Sequence, residues 1–172
     1  MMSSVAPLEP TPAAPDLADL HREHYRSLVR LASILVDDVG TCEEIVQEAF
    51  VNVLRRRATV EPDRFPAYLR SAVLNGARSS LRRRVVRQRH LQAVADPEPS
   101  AEARALAGRD ADRVLAELRA LPGRQREVLS LRFYLDLSEA EIAATLGISA
   151  GSVKTHAHRG LARLAERLGA ER

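Results

Sequence analysis

The chain has 172 residues, 45% hydrophobic but only 3% aromatic, with a formal net charge of +3, so one ordinary or two small domains with aliphatic cores are expected. One cysteine excludes an internal disulfide, no apolar stretch approaches the ~20 residues of a membrane span, and "MMSSVAPLEPTPAAPD" lacks the basic start and apolar core of a secretion signal. The expectation is a soluble, cytoplasmic, all-α protein of two small helical domains.

Residues 1–16 are rich in Pro and Ala without periodicity and read as a disordered tail. A helix is expected from Leu17 to about Val36, ending near "DDVG". Thr41 then opens a second helix through a capping box, "TCEE", with Glu44 reaching back. Ile45, Val46, Ala49, Phe50, Val53 and Leu54 form its apolar half, and Arg55, Arg56 and Arg57 end it, as the helix dipole favours. "ATVEPDRFP" reads as a loop, with Pro66 suited to the first turn of the next helix.

"YLRSAVLNGARSSLRRRVVRQRH", residues 68–90, holds an Asn-Gly pair that by itself signals a hairpin. Yet Leu69, Ala72, Val73, Gly76, Ala77 and Ser80 keep helical spacing across that pair, and Ser71, Asn75, Arg78, Ser79, Arg82 and Arg89 share the opposite face. The segment therefore reads as a helix, with Gly76 permitting close packing and the apolar stripe fading beyond Arg84. Charge concentrates here: residues 55–92 carry +9, while residues 1–54 carry −6 and residues 93–112 carry −3. So dense a basic block between acidic flanks points to a polyanion partner.

Residues 93–109 read as an acidic linker, "ADPEPSAEARALAG" at its heart. Helices are expected at about 110–120, 124–134, 139–146 and 150–168, with residues 169–172 as a tail. Ser138 and Glu141 form a capping box, Ser149 caps the last helix, and Gly147 makes a left-handed turn between the last two. "EAEIAATLGISAGSVKTHAHRG" thus has the spacing of a helix-turn-helix, whose second helix enters the major groove. Val153, Ala157, Gly160, Leu161, Leu164 and Leu168 form its buried stripe. Ser152, Thr155, His156 and Arg159 point outward, with Lys154 and His158 at the edges, a set suited to bases and phosphates.

Over residues 17–168 the chain resembles the extracytoplasmic-function (ECF) sigma factors, the promoter-specificity subunits of bacterial RNA polymerase. "EEIVQEAFVNVL" is similar to region 2.2 of that family, "FPAYLRSAVLNGARSSLRRR" to regions 2.3 and 2.4, and "LRALPGRQREVLSLRFYLDLSEAEIAATLGISAGSVKTHAHRGLARL" to region 4. The resemblance implies a region 2 domain at 17–92 and a region 4 domain at 110–168. It implies that helix 41–56 docks on the polymerase core, on the β′ coiled coil, through Glu44, Gln47, Glu48, Val51 and Arg55, the β subunit being the second core partner. It further implies contact of Phe65, Tyr68, Ser71, Asn75, Arg78, Ser79, Arg82 and Arg83 with the −10 element of promoter DNA. Ser152, Lys154, Thr155, His156, His158 and Arg159 would contact the −35 element, Arg159 through either base or phosphate. Members of the family are often held inactive by an anti-sigma protein, although no residue here identifies one.

The chain departs from the family at Tyr68, where Trp is usual, at Ser79, where Asp is usual, and at His156 and Ala157, where Arg and Leu are common. "SVKTHAHRGL" also looks like the reading helix of response-regulator output domains, so a stand-alone helix-turn-helix regulator is the alternative. Residues 17–90 speak against it, lacking the strands and clustered acids of a receiver domain. His21, His24 and Cys42 lack the tight pairing of a structural metal site. Neither a catalytic constellation nor a phosphate-binding Gly loop is present, so no enzyme, metal or cofactor is expected.

Overall fold

The computed structural model describes residues 17–90 and 109–169, with side chains at 17–87 and 111–169. Every regular element among them is helical. The tail at 1–16 and the linker at 93–109 lie almost wholly outside the described residues.

The N-terminal half consists of α1 (Leu17–Leu35), α2 (Val39–Arg56) and α3 (Phe65–His90). α1 buries Leu20, Leu28, Leu31, Ala32 and Leu35 along one face. α2 begins two residues before the expected start, because Asp38 and not Thr41 is its cap. The Asp38 carboxylate accepts the Thr41 amide at 2.7 Å, and its backbone carbonyl accepts the Cys42 amide at 3.0 Å. Hydrogen bonds from Thr41 hold this carboxyl below its ordinary range. Cys42, Ile45, Val46, Ala49, Phe50 and Val53 are buried, but Leu54 is 42% exposed. It stands one residue beyond Val53, at the flank of the stripe and past its partners.

A 3₁₀ turn at Pro62–Arg64 leads into α3, whose helix passes through Asn75-Gly76 without interruption. Leu69, Val73 and Leu74 are essentially fully buried, each stabilising the fold by about 1.5–3 kcal/mol relative to an exposed position. Gly76 is where α2 and α3 meet: a Cβ there would lie 2.8 Å from Ile45 Cγ2. The absence of a side chain is what lets the two helices approach.

The C-terminal half contains α4 (Arg109–Arg119), α5 (Gly123–Leu129), a π-helical turn at Ser130–Tyr134, α6 (Glu139–Leu146) and α7 (Ala150–Gly169). Ser138 caps α6 and Glu141 reaches back to the Ser138 amide at 2.9 Å, completing the capping box. Gly147 adopts φ 64°, the left-handed conformation that a side chain disfavours, and Ser149 accepts the Ser152 amide at 3.1 Å. Val153, Ala157 and Gly160 are buried on α7, Gly160 against Leu129 of α5. Leu161 is 44% exposed, a correction to the expected stripe, since it sits beside the Val153–Ala157–Gly160–Leu164 line rather than on it.

The two halves touch. α3 packs on α6, and α1 on α4 and the π-helical turn, so that their buried residues form one connected cluster. Among the described residues no helix is long and apolar enough to cross a membrane.

Candidate protein and nucleic-acid interfaces

The outer face of α2 presents Glu44, Gln47, Glu48, Val51 and Arg55, all exposed. Burial of the opposite stripe fixes that face outward. Val51 is 43% exposed, and Leu54, one turn along, extends it into a short apolar strip among charges. Periodicity alone assigns Leu54 to the core and so misses it. A surface of this kind suits a protein partner better than a nucleic acid.

The face of α3 that looks away from the core borders a cleft of about 490 Å³ between α2 and α3. Tyr68, Ser71, Asn75, Ser79 and Arg83 line it from α3, joined by Asn52 and Arg56 from α2. The Arg56 guanidinium lies 5.7 Å from the Tyr68 ring centroid, a cation–π contact across the cleft. Asn52 and Arg56 escape a reading of α3 alone. Their only sequence signal is spacing of four from Glu48. At the end of the cleft Arg83 is exposed, and Arg82 and Arg87 stand exposed beside it, Arg82 donating to the Ser79 hydroxyl at 3.1 Å.

Two of the residues expected on this face are placed differently. Phe65 is only 3% exposed: as the first residue of α3, after the 3₁₀ turn, it carries its ring into the core and offers no stacking surface. Arg78 is on the stripe but engaged, its Nε and Nη2 reaching the two Glu127 carboxylate oxygens at 2.5 and 2.8 Å. Its Nη1 donates to Asn75 Oδ1 at 2.9 Å.

On α7, Lys154, Thr155, His158 and Arg159 are exposed, whereas Ser152 and His156 are half-buried. The Thr155 hydroxyl donates to the Gly151 carbonyl at 2.9 Å, which orients it along the helix, and Ser152 Oγ lies 2.9 Å from Ser149 Oγ at the cap. Lys154 Nζ is 3.7 Å from Glu139 on α6, an exposed pair worth little by itself.

The remaining candidates serve packing. The His21 ring lies 4.5 Å from that of Tyr25 and 4.9 Å from that of Phe50. Cys42 is 1% exposed, its Sγ donating to the Val36 carbonyl at 3.6 Å, and burial pushes the thiol up to about 11. Among the described residues, no three His, Cys, Asp or Glu side chains converge.

Comparison with known proteins gives these surfaces a context. The family model for sigma-70 region 2 matches residues 20–87, and that for sigma-70 region 4 matches residues 111–164. The chain is 33% identical over 157 residues to RNA polymerase sigma factor CarQ of Myxococcus xanthus, covering 88% of each. It is 30% identical over 145 residues to the ECF sigma factor SigL of Mycobacterium tuberculosis, covering 81% of each. Among solved structures, that of CnrH in complex with the cytosolic domain of CnrY superposes with a TM-score of 0.71 at 26% identity, covering 91% of this chain and 89% of that one. The chain belongs to the ECF group of the sigma-70 family of RNA polymerase sigma factors.

Proposed function

We propose that this sigma factor divides promoter recognition among three surfaces. The outer face of α2, through Glu44, Gln47, Glu48, Val51 and Arg55, binds the polymerase core on its β′ subunit. The stripe of α3, through Tyr68, Ser71, Asn75, Arg78, Ser79, Arg82 and Arg83, binds the opened −10 strand. The first turns of α7, through Ser152, Lys154, Thr155, His156, His158 and Arg159, bind the −35 duplex. The chain supplies no catalytic step. It works in the cytoplasm, where it brings the polymerase's own chemistry to a chosen start site. CnrH was solved bound to the cytosolic domain of CnrY, and a protein partner of that kind, an anti-sigma factor, is part of the proposal.

One observation carries the reading: along a single continuous helix, Tyr68, Ser71, Asn75, Ser79 and Arg83 line one cleft, and Arg82 and Arg87 stand exposed beside it. Guanidinium groups in a row match phosphates in a row, and Tyr68 with Asn75 in the cleft can take a base by stacking and hydrogen bonding. A stand-alone regulator is not favoured, because both halves match sigma-70 regions and every regular element described in the N-terminal half is helical. The test is promoter binding by the polymerase-bound chain across a salt series. Arg82→Ala with Arg83→Ala should weaken binding and lower the salt slope by about one per lost phosphate contact, with core affinity unchanged. Equal loss of core affinity would refute the division of labour.

A further inference from the structure

We propose that Glu139, the first residue of α6, is a brake on the −35 face: its carboxylate stands between Lys154 and Arg132 and withholds both cations from DNA phosphate. This rests on the assignment of the first turns of α7 to the −35 duplex. Glu139 Oε1 accepts from Arg132 Nη1 at 3.4 Å, and its Oε2 lies 3.7 Å from Lys154 Nζ. One oxygen serves the π-helical turn and the other serves α7, so a single carboxylate ties the two together.

Each charge arrives there for a local reason. The turn closes through the Leu137 amide, which donates to the Leu131 carbonyl at 3.1 Å and brings Arg132 back beside the start of α6. Of the two acidic side chains in the first turn of α6, Glu141 is committed to the cap, its Oε2 taking the Ser138 amide at 2.9 Å and the Ser138 hydroxyl at 2.7 Å. Glu139 has no part in that box. What it gives the helix is a favourable interaction with the dipole, and it is half-buried, as is Arg132, while Lys154 is exposed.

Its position matters more to DNA than to the fold. In a helix-turn-helix the first helix crosses the phosphate backbone while the second enters the groove, so phosphates pass the start of α6 and the edge of α7. A carboxylate at that place acts twice. Phosphate must first part each cation from Glu139, and then lies beside a like charge well within the screening length of about 8 Å. The three side chains together offer DNA one positive charge, where the two cations alone would offer two. Phosphate contacts are common to every sequence, whereas Thr155 and His156 are the base-proximal pair. The brake therefore shortens the stay on all DNA without changing which base is preferred.

The experiment titrates the full chain, bound to core polymerase, onto promoter fragments recovered from a randomised −35 library, over roughly 50 to 200 mM salt. Glu139→Gln keeps the shape and removes the charge. Affinity should rise about threefold to tenfold at the low-salt end, and the salt slope should steepen by about one. The advantage should then shrink about threefold to fourfold across the series, with base preference unaltered. The melting temperature should not rise, since the dipole interaction is lost, and Glu139→Asp should stay near the parent. With Arg132→Ala and Lys154→Ala already in place, Glu139→Gln should gain nothing. Unchanged or weaker binding by Glu139→Gln would overturn the brake. A gain that persists without the two cations would assign the effect to net charge alone, and a changed base preference would make Glu139 a reading residue; either overturns the proposal. Thr155→Ala and Arg159→Ala, made in the parent chain, judge the −35 assignment of α7 separately, whatever Glu139→Gln does.

Discussion

Gly76→Ala places a methyl group where α2 and α3 meet, and its effect can be worked out in sign as well as size. The new Cβ would stand 2.8 Å from Ile45 Cγ2 and 3.4 Å from Cγ1. Ile45 is β-branched, helical and 6% exposed, so its χ1 cannot swing aside. Overpacking of this kind costs about 1–3 kcal/mol. Against it stands the helix propensity that alanine gains over glycine, ~1 kcal/mol. The balance is a net destabilisation of about 1 kcal/mol, or a fall in melting temperature of about 2–4 °C for a chain of this size. The same substitution made in an Ile45→Ala background meets no Cγ atoms, so only the propensity gain is left and Gly76→Ala should become stabilising. Ile45→Ala itself costs about 2–5 kcal/mol, so the four chains are best compared in the cold. Urea unfolding at 10 °C, followed by helical circular dichroism, reads the cycle. A stabilising Gly76→Ala in the parent chain, or a cost that persists without the Ile45 side chain, would refute the close-approach argument.

Three further outcomes are expected. Asp38→Ala should cost about 1 kcal/mol through loss of the α2 cap. Because the Asp38 carboxyl is held below its ordinary 3.8, its contribution is full above that pH and is lost as pH falls through the lowered value; Asp38→Asn should flatten that acid limb in unfolding titrations. Cys42, buried and pushed up to about 11, should react with iodoacetamide at pH 8 about a hundredfold or more slower than free cysteine; rapid native-state alkylation would show that the α1–α2 core opens. In transcription from a randomised −35 library, Thr155→Ala and His156→Ala should relax preference at individual base pairs, whereas Arg159→Ala, if it anchors phosphate, should weaken all sequences alike.

Much of this was legible from residue spacing, for reasons particular to each element. The α3 helix survives its Asn-Gly pair because two stripes keep phase across it, and a hairpin would have scrambled both. The helix-turn-helix was legible because its punctuation is local: Ser138 with Glu141, Gly147, and Ser149 each act within four residues. The α2 start was misread because "DDVGT" offers two capping residues three apart, and which of them caps depends on where α1 releases the chain. Leu54 and Leu161 were misassigned because periodicity marks a face but not what packs across from it, and each lies at the flank of its stripe. Phe65 was misplaced because a 3₁₀ turn, absent from the pattern, sets the entry of α3. The Arg78–Glu127 pair spans 49 residues. No local signal exists for such a contact, since either side chain alone reads as an ordinary surface charge.

The far end of α7 is tied to α4. This helix is 20 residues long, about 30 Å of stiff rod. Near its last turn Arg167 pairs with Glu117 of α4, and Arg113 of α4 donates to the Leu168 carbonyl at 3.0 Å. Thr155 lies twelve residues before Arg167, about 18 Å along the rod. A swing of roughly 10° about the pinned end would carry the reading residues about 3 Å, as much as the whole length of a hydrogen bond. The staple on α4 therefore shares the setting of aim with the burial of Val153, Ala157 and Gly160: slackening it removes one of two restraints on the direction of the rod while leaving every reading side chain in place.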